Sequence, residues 1–282
     1  MNTAKPVPRC ISVSFADSSG AAGVYGDVKT FSALDCYGTG VMTAVGTTDA
    51  SGFEQRQLEP GTVTSQFRRA IRYFGCTAVK IGYLGTPETA EAIAAELSEL
   101  PEGTPIIVDP SLINRHGHWV AKRDTAKLLR DTLLPGATII TPNVAEAELL
   151  TGRTLETATD MEDAGKHVME LGANAALITG GHRNGAYSDD LLAWRKQDGT
   201  GIQVTWLRAA RVGIDRIEGA GCTLTSGIAA GIARGQMLPE ATESAKIYLT
   251  AALRAGSRWH NEQGSGPLHH FYAWWNQKEQ TS

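Results

Sequence analysis

The chain has 282 residues, 42% hydrophobic and 20% charged, with a formal net charge of -4. That is enough apolar material for a sizeable core in an α/β domain. The acidic balance without a basic run excludes nucleic acid as the expected partner, and no stretch approaches the roughly 18 apolar residues of a membrane span. Cys10, Cys36, Cys76 and Cys222 form no CxxC pair and no zinc spacing, so reduced thiols in a cytoplasmic protein are expected. The N-terminus carries no long apolar run of the signal-peptide kind.

Cys10 to Phe15 reads as a buried strand, Ala16 to Gly23 as a small-residue loop, and Val24 to Leu34 as a helix. Gly40 to Val45 is a second apolar run. Val63 to Phe74 has helical spacing, with Val63, Phe67, Ala70, Ile71 and Phe74 on one side. Ala78 to Ile81 is a strand, and Pro87 to Leu100 a helix with Pro in its first turn. Ile106 to Val108 is a strand ending in Asp109-Pro110. A helix is expected over Thr125 to Leu134, then a strand over Ala137 to Ile140 that ends in Thr141-Pro142-Asn143. Val144 to Leu150 is a short helix stopped by Gly152. Met161 to Leu171 is a helix, and Ala175 to Ile178 a strand before Thr179-Gly180-Gly181. Leu191 to Arg195 and Ile202 to Leu207 suggest a hairpin around Asp198-Gly199. Helices at Cys222 to Ala233 and Glu240 to His260 precede an aromatic segment with Phe271, Tyr272, Trp274 and Trp275.

Strands alternating with helices predict a mostly parallel central sheet covered on both faces, within one domain over residues 1–282. Ligands of such sheets bind at the carboxyl ends of the strands. Asp17, Asp109, Asn143 and Thr179 all follow apolar runs, which points to one cleft.

Gly219-Ala220-Gly221-Cys222 runs into an apolar helix. A helix N-terminus offers unpaired N–H groups to an anion, and its field favours thiolate. A tight turn into a close-packed helix fits the same residues. Ala16 to Gly23 lets a ligand approach the backbone, or is an Asx turn capping a helix. Asn143 and Glu146 have capping-box spacing. They also suit Mg²⁺ beside phosphates, a role more credible if Asp109 shares the cleft. His116 and His118 read as a polar loop, and His269-His270 as structural.

The chain resembles the hydroxymethylpyrimidine/phosphomethylpyrimidine kinases, members of the ribokinase-like superfamily. The matching segments are Asp17-x-Ser19-Gly20 through Gly23, Asp27 to Leu34, Lys80-Ile81-Gly82, Val108-Asp109-Pro110, and Ile140-Thr141-Pro142-Asn143-x-x-Glu146. They continue with Gly180-Gly181-His182, Gly221-Cys222-Thr223-Leu224 and Gly266-Pro267-x-His269-His270-Phe271. The resemblance implies a three-layer sandwich that transfers a phosphoryl group from ATP, with Mg²⁺, to a hydroxymethyl group or monophosphate of a small heteroaromatic compound. It also implies a homodimer.

Carried over by position, Cys222 is the expected base, and the N–H groups of Ala220 to Cys222, turned by Gly219, form an anion hole. Phe15, Asp17, Gly20, Asp27, Thr48 and Tyr83 are expected around the substrate. Asn143, Thr179, Gly181 and Glu218 are expected around the nucleotide, and Asp109 and Glu146 at the metal.

The chain departs from the family at several of these positions. Ala220 stands where Thr is usual, Glu218 where His is common, and Thr179 where Lys is common. Phe15 replaces a Gly, Thr48 a Gln and Tyr83 a Met. The alternative expectation is therefore a member with lost or repurposed kinase chemistry that binds or transforms a different small molecule. A pyridoxine kinase is a third.

Overall fold

The computed structural model describes residues 6–49, 52–114, 117–181, 185–196, 199–213, 216–259 and 265–275, without the side chains of 47–49, 52, 53, 216, 217 and 265. In chain order the elements are β1 (Arg9–Asp17), α1 (Gly23–Ala33), β2 (Tyr37–Asp49), β3 (Gly52–Gln57), α2 (Pro60–Phe74), β4 (Ala78–Ile81) and α3 (Pro87–Ser98). Next come β5 (Ile106–Val108), α4 (Arg123–Leu128), β6 (Ile139–Ile140), α5 (Val144–Thr151), α6 (Ala158–Glu170), β7 (Ala175–Ile178), β8 (Tyr187–Arg195) and β9 (Ile202–Ala210). The last are β10 (Arg216–Ile217), α7 (Ala220–Ala233), α8 (Leu238–Gly256), β11 (Ser265–Gly266) and α9 (Tyr272–Trp275).

Nine strands form one sheet in the order β3-β2-β1-β4-β5-β6-β7-β8-β9. From β2 to β7 all neighbours are parallel, while β3 and β8 run against them. Successive side chains of a strand point to opposite faces, so a strand buried on both faces reads as unbroken apolar sequence. Ile107 faces the core made with Phe31 of α1, Leu224 and Ile228 of α7 and Leu249 of α8. Its neighbour Val108 faces the other core, with Phe67 of α2, Ile93 of α3 and Val168 of α6. The result is the expected three-layer α/β sandwich.

The chain leaves β1 toward β2 on one side, and from β4 onward it builds toward the other. The crevice at the carboxyl ends of β1 and β4 is therefore the topological switch point, where such sheets take ligands.

Three differences from the expected elements have physical causes. Strand β3, Gly-Phe-Glu-Gln-Arg-Gln, has no apolar alternation because it is an edge strand held by its backbone pairing with β2. The helix expected over Thr125 to Leu134 divides into α4 and a π turn at Leu129–Leu133, which places Leu129 and Leu133 in the core. The last expected helix ends at Gly256 and tightens into a 3₁₀ turn, Ser257–Trp259. Asp198 of the expected hairpin turn lies outside the described residues, although β8 and β9 pair antiparallel from Arg195–Ile202 onward. Among the described residues no helix is long and apolar enough to cross a membrane.

Candidate active site

The loop after β1 is built around Asp17. Its carboxylate accepts from Ser19 N at 3.0 Å, Ser19 Oγ at 2.6 Å and Ala22 N at 3.2 Å. The side chain is fully buried. Asp17 was expected at the substrate, but it holds the loop in an Asx turn, the other reading open from sequence. Gly20 follows in that turn, and its carbonyl accepts from Lys29 Nζ of α1 at 2.8 Å.

The α7 N-terminus lies across the switch point. Gly219 caps it with φ +84°, no side chain caps it, and its first turn holds no acid. A Cβ at position 219 would stand 1.9 Å from Ala21 O, so both backbone conformation and space demand glycine there. The first N–H groups of a helix have no intrahelical acceptor; here they belong to Ala220, Gly221 and Cys222.

Neighbouring elements fix this turn. Thr225 Oγ1 lies 2.8 Å from Thr141 Oγ1 beyond β6, and Thr223 Oγ1 lies 3.1 Å from His270 Nε2 of the C-terminal segment. Asp109, at the end of β5, directs Oδ2 at the turn, 3.9 Å from where a Cβ on Gly221 would be. Its Oδ1 accepts from Ser111 Oγ at 3.0 Å.

Asp27 was expected beside the substrate ring. It is instead enclosed beneath the site, where Oδ1 accepts from Ser226 Oγ at 2.7 Å and Oδ2 from Ser12 Oγ at 2.5 Å and Lys80 Nζ at 2.9 Å. Both ionic side chains are 0% exposed. An unpaired buried charge is costly, and here each charge has its counter-ion and hydroxyl partners. Burial pulls the Lys80 pKa down, but Asp27, Cys222 and Asp109 outweigh it and leave it raised. Lys80 is the site residue to which sequence reasoning gave no role. Its signal was a lysine inside the apolar strand Ala78-Val79-Lys80-Ile81.

Burial and the carboxylates of Asp27 and Asp109 push the Cys222 thiol up to about 12, against the opposing pull of Lys80 and a hydrogen bond from the Gly23 backbone. Burial thus works against the thiolate expected at this helix N-terminus. Lys80 and the Gly23 N–H act in the expected sense, but desolvation is larger.

Cys222 packs against a cluster that includes Phe15, Tyr83, Leu112 and Ile113. Phe15 and Tyr83 were expected around the substrate, yet they are only 7% and 3% exposed. Their rings meet edge to face at 5.7 Å. Tyr83 Oη donates to Val120 O at 3.1 Å and accepts from Gln57 Nε2 of β3 at 2.9 Å. These rings brace β3 against the 112–121 loop. Thr48 lies in β2 opposite Phe53, and its side chain lies outside the description.

Asn143 and Glu146 form a complete capping box on α5. Glu146 Oε2 accepts from Asn143 N at 3.0 Å, and Oε1 from Leu112 N at 2.8 Å and Ile113 N at 3.3 Å. Asn143 Nδ2 donates to Ile113 O at 3.0 Å. Burial and the Asp109 charge raise the Glu146 pKa, against three backbone donors that favour its ionised form. Asn143 and Glu146, expected at the nucleotide and the metal, have their polar atoms engaged in this cap and in the 112–113 loop. Among the described residues no three His, Cys, Asp or Glu side chains converge as metal ligands.

Thr179 directly follows β7 and bridges to Asn143, so it stands on the same edge. Gly181 follows, and its carbonyl accepts from Arg211 Nη1. Glu218 is half-buried just before Gly219. His182 and His116 lie outside the described residues.

Known proteins resemble the chain over most of its length. Residues 17–269 match a family model described as phosphomethylpyrimidine kinase. A hydroxymethylpyrimidine/phosphomethylpyrimidine kinase of Rhizobium meliloti is 38% identical over 267 residues, covering 94% of this chain and 97% of that protein. Among solved structures, a pyridoxal kinase of Staphylococcus aureus in complex with AMP-PCP and pyridoxal superposes with TM-score 0.83 at 29% identity, covering 96% of each chain. A phosphomethylpyrimidine kinase of Clostridium difficile superposes with TM-score 0.75 at 31% identity, over 87% of this chain and 99% of that one.

Proposed function

Since the chain belongs to the phosphomethylpyrimidine kinase family, and is an ATP-dependent kinase of a small heteroaromatic compound, we propose that its chemistry is centred on the uncapped α7 N-terminus and that its acceptor is a hydroxymethylpyrimidine. The carrying observation is the start of α7 at the switch point, where Gly219 offers no side-chain cap, the first turn holds no acid, and Asp109 Oδ2 lies beside Gly221.

Phosphoryl transfer proceeds through a loose transition state, so positioning and electrostatic stabilisation do most of the catalysis. The acceptor hydroxyl oxygen bonds to the γ-phosphorus while the bond to the ADP oxygen breaks. The N–H groups of Ala220, Gly221 and Cys222 stabilise the oxygens of the transferring group. Cys222 is the proton acceptor nearest the hydroxyl. Its raised pKa means that the thiolate form is scarce near neutrality, and the proton leaves the hydroxyl late. Lys80, held by Asp27, supplies a fixed positive charge beneath this point.

The residues fit a magnesium ion that arrives with the nucleotide, with phosphate and water oxygens as its other ligands and Asp109 as the protein oxygen. Bound there, magnesium would neutralise charge on the phosphates. Thr179 and Gly181 would border the nucleotide, with Glu218 near the phosphates. We read the chain as one domain, cytoplasmic and homodimeric; light scattering on the purified protein checks the subunit count.

The test is turnover. The protein is incubated with Mg-ATP and a panel of hydroxymethylated pyrimidines and pyridines, and ADP release is followed. ADP release that depends on a pyrimidine is expected. Release only with pyridines would move the substrate class, and ligand binding without turnover would favour the repurposed alternative.

A further inference from the structure

A second buried ion pair lies outside the chemistry described so far. Lys246 Nζ of α8 is 2.6 Å from Asp190 Oδ2 of β8, with side chains 8% and 2% exposed. The same ammonium donates to Ser188 Oγ at 3.2 Å. The other carboxylate oxygen, Asp190 Oδ1, accepts the backbone N–H of Gly180 at 2.9 Å. Gly180 sits between Thr179 and Gly181, so this pair ends directly under the loop assigned to the nucleotide. From the opposite side Arg211 donates to Gly181 O, to Gly185 O at 2.8 Å and to Tyr187 O at 3.0 Å. Adjacent peptide groups of one loop are thus gripped from two sides, one by an acceptor and one by a cation.

Burial pushes the Asp190 carboxyl up, and Lys246 and the Gly180 N–H pull it back. An ionised carboxylate makes the stronger bond to a backbone N–H. Lys246 therefore does two things: at 2.6 Å it favours the charged form of the acceptor under Gly180, and it offsets a buried negative charge beneath the loop assigned to the nucleotide. The second role matters because Thr179 supplies no cation on that edge.

We propose that Lys246 and Asp190 are positioning residues for the nucleotide, a neutral buried strut that sets the Gly180–Gly181 loop against the ATP phosphates. This rests on the kinase reading with ATP bordered by Thr179 and Gly181.

The test uses Lys246→Met, Asp190→Asn and the double variant, each compared with the native protein for melting temperature, ATP-analogue binding by calorimetry, and steady-state kinetics. Breaking a buried pair on one side strands a charge, whereas replacing both partners does not, so the double variant folds even if Lys246→Met is unstable. The amide introduced by Asp190→Asn still offers an oxygen to the Gly180 N–H. Lys246→Met is expected to raise the KM for ATP and the Kd of the analogue about tenfold, equivalent to roughly 1.4 kcal/mol, with the pyrimidine KM within about twofold. The double variant is expected to recover to within about threefold of native. A folded Lys246→Met protein with native ATP affinity overturns the strut, as do equal losses for both substrates or a double variant with no recovery. Native protein that binds no ATP analogue overturns both the strut and the kinase reading. Native protein that binds it, alongside variants that bind it equally well, removes the strut alone.

Discussion

Helices α5 and α7 both start at the carboxyl edge of the sheet, and they treat their first N–H groups in opposite ways. In α5, Asn143 and Glu146 satisfy the turn reciprocally, and Glu146 also takes two N–H groups from the 112–113 loop. In α7, Gly219 supplies no cap, and the first turn carries no acid. A helix N-terminus becomes an anion site when its donors are left over, rather than simply by facing a cleft. The same carboxyl edge thus holds one closed helix end, which fastens the loop over the sheet, and one end left without a side-chain cap, where we place the chemistry.

The largest effect that could break this contrast is at Gly219. Gly219→Ala forces a Cβ onto Ala21 O and strains a φ of +84°. It should lower kcat/KM about 1,000-fold, the scale seen when preorganised donors to a developing oxyanion are lost. A folded Gly219→Ala protein with native kinetics would remove α7 as the anion hole.

Next is Cys222→Ala, with an expected fall in kcat of about 100-fold. Because a base works deprotonated and this thiol is pushed up to about 12, native kcat should climb with pH through the alkaline range. The variant's profile should be flatter. Parallel profiles would deny Cys222 its role as base.

Asn143→Ala sharpens the other half of the comparison. Loss of a cap costs about 1 kcal/mol, read as a lower melting temperature with kcat within about twofold of native. The reverse outcome, native melting with lost turnover, would transfer the anion site to α5.

The smallest expected effect concerns His270, the brace on Thr223. Burial, aided by Lys29 and His269, lowers its pKa to about 4. A histidine with a lowered folded pKa contributes stability that is intact above its unfolded value, near 6.5, and is lost as pH falls toward 4. His270→Asn should lose less melting temperature than native between those limits. Equal losses would show that other groups carry the acid sensitivity.

How much of this could be read from the chain depends on the kind of residue. Strands such as Ile106-Ile107-Val108 announce themselves because both faces are buried. Strand β3 does not, since backbone pairing alone recruits it to the edge. The turn from Gly219 into α7 was readable because its signals are local: glycines, a turn and a helix start. The Cys222 pKa was not, because it depends on Asp27, Asp109 and Lys80, residues far away in the chain that only folding brings near. Capping-box spacing at Asn143 and Glu146 left structural and metal roles open together, and only the fold shows the hydrogen bonds of Glu146 to Leu112 and Ile113. Lys80 and Lys246 were hidden for a shared reason: a buried lysine looks like a misplaced surface residue until its aspartate is located.

The contact between Thr223 and His270 spans 47 residues of chain. A ribosome moving at about 5–20 residues per second finishes α7 roughly two to seven seconds before it reaches that brace. Through that interval the nascent sheet can already be layered with helices while the anion hole waits for its last support. If chemistry is centred on α7 as we propose, competence is acquired late in synthesis, after most of the apolar surface has been buried, and a chain stalled ahead of residue 265 would be folded in bulk yet lack this brace.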